Sequence, residues 1–535
     1  MADTKKTFLK GAVIMGLAGI IIKFMGAIFR IPLGNIIGAN GLAYYQGAYP
    51  IYVFLLTLST AGIPTAISKM ISEKRADDEY EEAHRIFRTS FILMFAIGAV
   101  TAAILFFGAG YICELIKNPG AYYSMKAIAP ALLFVPIMSA YRGYFQGMQN
   151  MAPTATSQIV EQFFRVGFGL ALAIAFLSNG LEFAAAGASS GAAFGGLFGT
   201  IAILVIYLRR KNTINNERKE GKHGNHAPTK SIIKKILVIA IPVTIGASIM
   251  SIMNLIDSAL VMRRLQLGAG FSAKVAEDLY GQLSGMVASI INFPQVISMG
   301  IAVSLVPVIS AAFQKKDMDF VHKNVELGLR TSILIGLPCS LGLIVLAKPI
   351  MLLLYPMQAE SAASAGSCLL IMGIGVIFLS TVQTLTGMLQ GVGKVSIPVI
   401  NLSIGAVVKI CCTILLVGIP SINVKGAALG TVAAYAVAAV LDFIAVKKYT
   451  GTKFNINLTF IKPAMASLIM MVAVIVSYKV ASLVFGNAIS TLAGVGIGVI
   501  VYGIVIVVIK GITQEEVKLL PKGDKLAKIL AKVQR

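Results

Sequence analysis

The chain has 535 residues, 57% hydrophobic and 13% charged, with a mean hydropathy of +0.83. A soluble domain averages about 45–50% apolar and about 25% charged residues, and a globule of this size cannot hide the excess from water. These figures exclude a string of soluble domains and point to an all-α polytopic membrane protein. The net charge of +23, from 46 Lys and Arg against 23 Asp and Glu, would suggest nucleic acid in a soluble protein. Here roughly three-quarters of the cations fall in segments that helix counting places on one side of the bilayer, as the positive-inside rule requires. The charge therefore sets orientation, and no nucleic-acid partner is expected.

Stretches of about 20 apolar residues, long enough to cross a bilayer, number about fourteen. In chain order they lie near 8–34, 42–69, 88–109, 122–147, 154–178, 183–208, 234–263, 276–312, 324–347, 362–390, 396–418, 424–446, 460–484 and 487–509. The first could pass for a secretory signal, but it is too long and lacks a small-x-small cleavage site, so it reads as a retained helix. Pro32, Pro50, Pro64, Pro136, Pro242, Pro294 and Pro307 fall within or at the ends of these spans and supply bend points. The connection at 209–233 is rich in Lys and Arg, with Asn, Gly and Pro, and reads as a flexible basic linker. The acidic run Asp77, Asp78, Glu79, Glu81 and Glu82 reads as a solvated amphipathic helix. Cys113, Cys339, Cys368, Cys411 and Cys412 show no metal or disulfide spacing, and the His223/His226 pair within the linker reads as solvated.

The chain repeats itself. Arg88-Thr89-Ser90 returns as Arg330-Thr331-Ser332, and Gly143…Gln146-Gly147 as Gly387…Gln390-Gly391. Arg165 meets Lys409 at the latter offset of 244 residues, and Gly187-x-x-x-Gly191 recurs as Gly426-x-x-x-Gly430. Six helices per copy is an even number, so both copies enter the membrane in the same sense, a transporter architecture with its site between lobes. The expected organisation is an N-lobe at 1–208, a linker at 209–233, a C-lobe at 234–449, two extra helices at 450–510 and a basic cytoplasmic tail at 511–535.

Ionisable side chains within spans are expensive and tend to face a cavity or a partner. Here they are Lys23, Arg30, Glu161, Arg165, Asp257, Lys409 and Asp442. Glu161 precedes Arg165 by four residues, the favourable helical spacing for a pair. Asp442 is expected to pair with Lys447 one or two turns on. Arg30 can snorkel from the end of its span, whereas Lys23 and Lys409 sit too centrally. Lys23, Arg30, Arg165 and Lys409 thus form a candidate cation-lined cavity suited to phosphate, because charge-assisted bonds to oxyanions strengthen away from bulk water. Glu161 and Asp257 are candidate coupling or structural acids, Asp257 lying six residues before Arg263. No Walker loop is present, so ATP-driven pumping is disfavoured. No cofactor or metal is expected, nor enzymatic activity. Coupling to membrane potential, Na⁺ or H⁺ stays open.

The run Lys23-Phe-Met-Gly26-Ala-Ile-Phe-Arg30-Ile-Pro32-Leu-Gly-Asn-Ile-Ile-Gly38 resembles the first helix of the polysaccharide flippases of the multidrug/oligosaccharidyl-lipid/polysaccharide exporter superfamily. So do Leu58-Ser-Thr-Ala-Gly62-Ile-Pro64-Thr-Ala-Ile-Ser68-Lys69 and Tyr141-Arg-Gly-Tyr-Phe-Gln146-Gly147-Met-Gln149. The likeness is nearest to the stage V sporulation protein B-like branch, which includes Gram-positive lipid II flippases. It implies two parallel six-helix lobes (MATE-like) plus two extra C-terminal helices that form a groove for a lipid tail. It also implies flipping of a polyprenyl-diphosphate-linked glycan, with first-helix cations, here Lys23 and Arg30, on the diphosphate. Implied partners are a lipid-linked oligosaccharide, membrane lipids and cell-wall synthesis enzymes; the implied location is the bacterial plasma membrane, with both termini cytoplasmic. A cation-coupled drug exporter and a non-transporting scaffold for cell-wall enzymes are the competing readings.

Overall fold

A computed structural model describes residues 2–222 and 227–512. The His223/His226 pair and nearly all of the expected 511–535 tail lie outside the described residues. Eighteen α-helices follow in order: α1 Ala2–Thr60, α2 Ile63–Ala76, α3 Tyr80–Leu115, α4 Tyr122–Ile128, α5 Ala131–Gly147, α6 Ala152–Ala175, α7 Leu181–Arg209, α8 Lys211–Glu220 and α9 Thr229–Leu267. Then come α10 Ala273–Tyr280, α11 Ala288–Gln314, α12 Met318–Val345, α13 Ala347–Leu354, α14 Ala359–Gly391, α15 Ser396–Val417, α16 Lys425–Thr450, α17 Lys462–Ser482 and α18 Asn487–Val508. Among the described residues there is no strand, and 13 stretches are long and apolar enough to span a membrane. In lipid, only structures that satisfy their own backbone hydrogen bonds can do so. Phe107 and Val499, 83% and 69% exposed on such stretches, present the apolar exterior that lipid accepts.

The count differs from the expected fourteen at the N-terminus. The end of the span expected at 8–34 and the whole of that at 42–69 fall in one continuous stretch, Phe24–Ala76. Helix α1 is broken inside that stretch at Gly38 (φ 66°, ψ −174°), a left-handed conformation that needs a residue without a Cβ. Pro64 opens α2, where a missing N–H costs nothing. The other span prolines, Pro32, Pro50, Pro136, Pro242, Pro294 and Pro307, lie inside helices.

Packing divides the chain into two compact units. One takes the chain up to Gln266 with Ser272–Gly281; the other takes Leu267–Phe271 and the chain from Gln282 onward. The division falls one helix beyond the 209–233 linker, because α9 packs within the first unit. Ser251 on α9 meets Thr57 through a 2.9 Å hydroxyl hydrogen bond, and Gln266 donates to the Lys117 carbonyl at 2.8 Å. Ile232, Ile236 and Ala240 join the core formed by Ile67, Phe87, Tyr144 and Phe145.

The linker is not a flexible tether along its whole length. Residues 211–220 form α8, which docks on the acidic run that was expected to be solvated. Glu217 accepts from Arg75 at 2.8 Å, and Arg218 grips Glu81 through two hydrogen bonds of 2.7 and 3.0 Å. The Glu81 carboxylate holds the Arg218 guanidinium above its ordinary pKa. Opposite charge on two short segments brings them together where each alone would prefer water.

The duplication is visible in matching contacts inside each unit. A Cβ on Gly187 would strike Leu172 and Ala173 of α6, and one on Gly426 would strike Leu416 and Val417 of α15. Gly191 lies against the Arg165 carbonyl, and Gly430 against that of Lys409. Likewise Gly147 meets Ile71 and Ser68, while Gly391 meets Ile309 and Val306. Glycines at four-residue spacing let helices approach through backbone, so the α6–α7 and α15–α16 pairs are two copies of one joint. Beyond the second copy, α17 and α18 pack on each other and on α12 and α13.

Candidate functional site

The glycine ladder of α7, Gly187, Gly191, Gly195 and Gly199, lets α6 approach through backbone: Gly195 lies against the Glu161 carbonyl and Arg165 Cβ, and Gly199 against Glu161 Cβ. At the edge of this seam Glu161 and Arg165, with Gln158 and Gln162, line a cavity of about 420 Å³ within the first unit. Helix α5 contributes Ser139, Arg142 and Gln146 to the same cavity, and Thr60 and Pro64 add the junction of α1 and α2. The wall is therefore polar although most of the surrounding helices are apolar.

Glu161 does not pair with Arg165. Its carboxylate accepts from Arg142 Nη2 at 2.9 Å, and Arg142 Nε also donates to Ser157 Oγ at 2.9 Å. The local four-residue rule loses because Arg165 has better company on α1. Its guanidinium stands 5.1 Å from the centre of the Tyr49 ring, beside the buried Tyr45 and Tyr52. Arg30 stands 5.7 Å from the centre of that same ring, and Tyr45 stacks on Tyr49 with ring centres 5.5 Å apart. Two cations thus share one aromatic side chain; each such contact contributes about 0.5–2 kcal/mol, more where water is excluded.

Of the six expected site residues, the structure places Arg165 and Glu161 on the wall of this cavity and joins Arg30 to Arg165 through the Tyr49 ring. Asp257 is half-buried on α9, next to Ser258, in the same unit. Lys409 belongs to the second unit, where it is 3% exposed on α15. Lys23 falls in α1, but its side chain lies outside the described residues. Arg142 was missed: it sits near the end of its span, where a cation looks like an interfacial anchor. Asp442 does not pair with the exposed Lys447; Asn401 Nδ2 donates to it at 2.8 Å. Among the described residues no group of three or more His, Cys, Asp or Glu could hold a metal.

Two helical units on one duplicated plan, with a polar, cation-walled cavity among spans, define a polytopic membrane transporter. The family described as polysaccharide biosynthesis protein matches residues 8–313, more than half of the chain, and the chain belongs to that family. The MatE family matches residues 283–415. Among relatives in Bacillus subtilis (strain 168), the uncharacterized membrane protein YabM is 28% identical over 531 residues, covering 97% of this chain and 96% of the relative. Stage V sporulation protein B is 26% identical over 526 residues, covering 97% and 98%. Lipid II flippase MurJ is 27% identical over 495 residues, covering 90% of each. Among solved structures, the inward closed conformation of lipid II flippase MurJ superposes with a TM-score of 0.66 at 16% identity, covering 93% of this chain and 98% of that one. An inward-facing multidrug resistance MATE family transporter of the MOP superfamily gives 0.64 at 16%, covering 82% and 98%. These relatives and neighbours of stated activity are flippases and transporters, not enzymes.

Proposed function

We propose that the chain is a flippase that carries a polyprenyl-diphosphate-linked cell-wall precursor from the inner to the outer leaflet of the bacterial plasma membrane by alternating access. Lipid II, for peptidoglycan or spore cortex, is the substrate we assign. The observation that carries this reading is the pair Arg30 and Arg165 on Tyr49, with Arg165 on the wall of a polar cavity. Guanidinium forks suit diphosphate oxygens, each charge-assisted hydrogen bond contributing about 1.5–3 kcal/mol. Tyr49 holds both cations without neutralising them, so their charge stays available to an anion. Gln146, Gln158 and Gln162 offer amides to the hydroxyls of a glycan, while the Arg142–Glu161 pair keeps the rest of the wall near neutral. Both relatives named for lipid II flipping and for sporulation support this substrate class. Membrane potential would act on the charged carrier with about 2.3 kcal/mol per charge per 100 mV. Both termini are assigned to the cytoplasm from the placement of Lys and Arg.

The test is flipping of fluorescent lipid II in proteoliposomes under an imposed potential, wild type against Arg30→Ala. Transport by wild type that is lost in the variant is the expected result. A well-folded wild type that moves no lipid II would overturn the substrate assignment. Cation-coupled export of small amphipathic drugs is the second reading, favoured by a carboxylate, Glu161, on the cavity wall. Its Arg142 partner weighs against it, because cation exchange needs an acid free to change partners.

A further inference from the structure

The duplication places a polar cluster at the same point of each unit, and the two clusters are neutralised differently. Positions 142 and 386 correspond, as do 157 and 401, at the 244-residue offset that also relates Arg165 to Lys409. In the first unit these positions are Arg142 and Ser157, and the acid beside them has a cation at 2.9 Å. In the second unit they are Thr386 and Asn401, and the acid comes from α16 instead. Asp442 is 1% exposed. Its Oδ1 accepts from Asn401 Nδ2 at 2.8 Å, Thr386 is its other hydrogen-bond partner, and Oδ2 has no partner among the described residues.

No cation of the second unit forms an ion pair with Asp442 among the described residues. Helices α12, α14 and α15 pack against α16; of their charged groups Glu360 lies in the first turn of α14. On α12, His322 bonds the Thr450 carbonyl, Glu326 accepts from the Asn455 N–H, and Arg330 donates to the Gly511 carbonyl; Asp319 and Lys323 are the remaining charges there, both near its start. Beyond the end of α14, Lys394 lies over the Tyr449 ring at 5.0 Å. On α15 Lys409 is two turns past Asn401, and on α16 itself Lys447 and Lys448 are exposed at its end. An ionised carboxylate buried in a membrane unit needs a countercharge. Where the first unit supplies an arginine, the second supplies an amide and a hydroxyl.

We propose that Asp442 is a proton-binding site: its carboxyl takes up H⁺ when buried and returns it to water when the cluster opens during transport. A metal cation would need several oxygens turned inward, whereas Asn401 presents its amide nitrogen. The assignment is independent of which lipid the protein carries.

The experiment uses the purified full chain in lipid nanodiscs, treated with dicyclohexylcarbodiimide, which adds only to protonated carboxyls in apolar surroundings. Peptide mass spectrometry reads modification at Asp442 across pH. The expected result is labelling of Asp442 at low pH that falls about tenfold per pH unit once the carboxyl ionises. Thr386→Arg, which gives the second unit the cation of the first, should abolish the labelling while Asp442 remains. Absence of label on wild-type Asp442 throughout the range, or label that does not vary with pH, overturns the proposal. Protection by Na⁺ at constant pH overturns it in favour of a metal cation. The wild-type measurement stands even if the variant fails to fold.

Discussion

The first unit opens its polar groups onto a cavity, whereas the second closes its own inside the helix bundle. At the position of Arg165, which reaches the Tyr49 ring, the second unit has Lys409, 3% exposed. Where Gln158, Glu161 and Gln162 line about 420 Å³ of polar space, the matching positions hold Leu402, Gly405 and Ala406. A pocket of about 430 Å³ in the second unit is walled by Leu329, Ile333, Phe378, Val440, Phe443 and Phe460. The glycine joints of the two units are the same. A duplicated scaffold can therefore keep its helix packing, which depends on backbone approach, while the side chains around it diverge.

The sharpest way to break this contrast is a matched pair of substitutions. Arg165→Ala should lower lipid II flipping by about 10–100-fold, as expected for losing one charge-assisted contact to diphosphate. Lys409→Ala should have the smaller effect, both measured in proteoliposomes at equal protein density. An equal loss in the two variants would mean that the second unit also meets the diphosphate. Next in size is the joint itself. Gly191→Leu should lower thermal stability by about 1–3 kcal/mol or more through overpacking, because the new side chain meets the Arg165 carbonyl. Gly430→Leu, with 3.1 Å to Cys412 Cβ and 3.3 Å to the Lys409 carbonyl, has more room and should be milder.

Arg142→Ala should cost about 1–3 kcal/mol by leaving the half-buried Glu161 without its cation. Adding Glu161→Ala should recover part of that loss in a double-mutant cycle; a strictly additive result would show that the two side chains do not interact. The smallest effect belongs to the linker. Arg218→Ala should change global stability by no more than about 1 kcal/mol, yet raise protease cleavage around α8. High salt should produce the same cleavage in wild type, since the Arg218–Glu81 and Arg75–Glu217 pairs are partly exposed.

The helical membrane class, the duplication and the glycine joint were legible because each depends on composition or on regular spacing. Gly187 and Gly191, with Gly426 and Gly430, stood out as one repeated four-residue spacing, and at each of them another helix approaches closely. The cation pair Arg30 and Arg165 was legible as costly charge in apolar runs, but not as a pair. Their shared ring, Tyr49, lies nineteen residues beyond Arg30. Arg142 carried the weakest signal, since a cation near a span end has an ordinary interfacial explanation. The Glu161–Arg165 expectation failed for the converse reason: a local rule worth a few tenths of a kcal/mol was outweighed by contacts from other helices.

The amino-acid sequence by itself determined that this chain crosses a membrane many times, that it is built twice over, and that its embedded charges need partners. Those properties follow from hydropathy and periodicity, which act locally along the chain. Only the tertiary structure decided which partner each charge has: Arg142 for Glu161, Tyr49 for Arg30 and Arg165, Asn401 for Asp442, Glu81 for Arg218. In a low-dielectric interior, contact distances of 3–6 Å decide the strength of an electrostatic interaction, and the residues that reach those distances come from helices far apart in the chain.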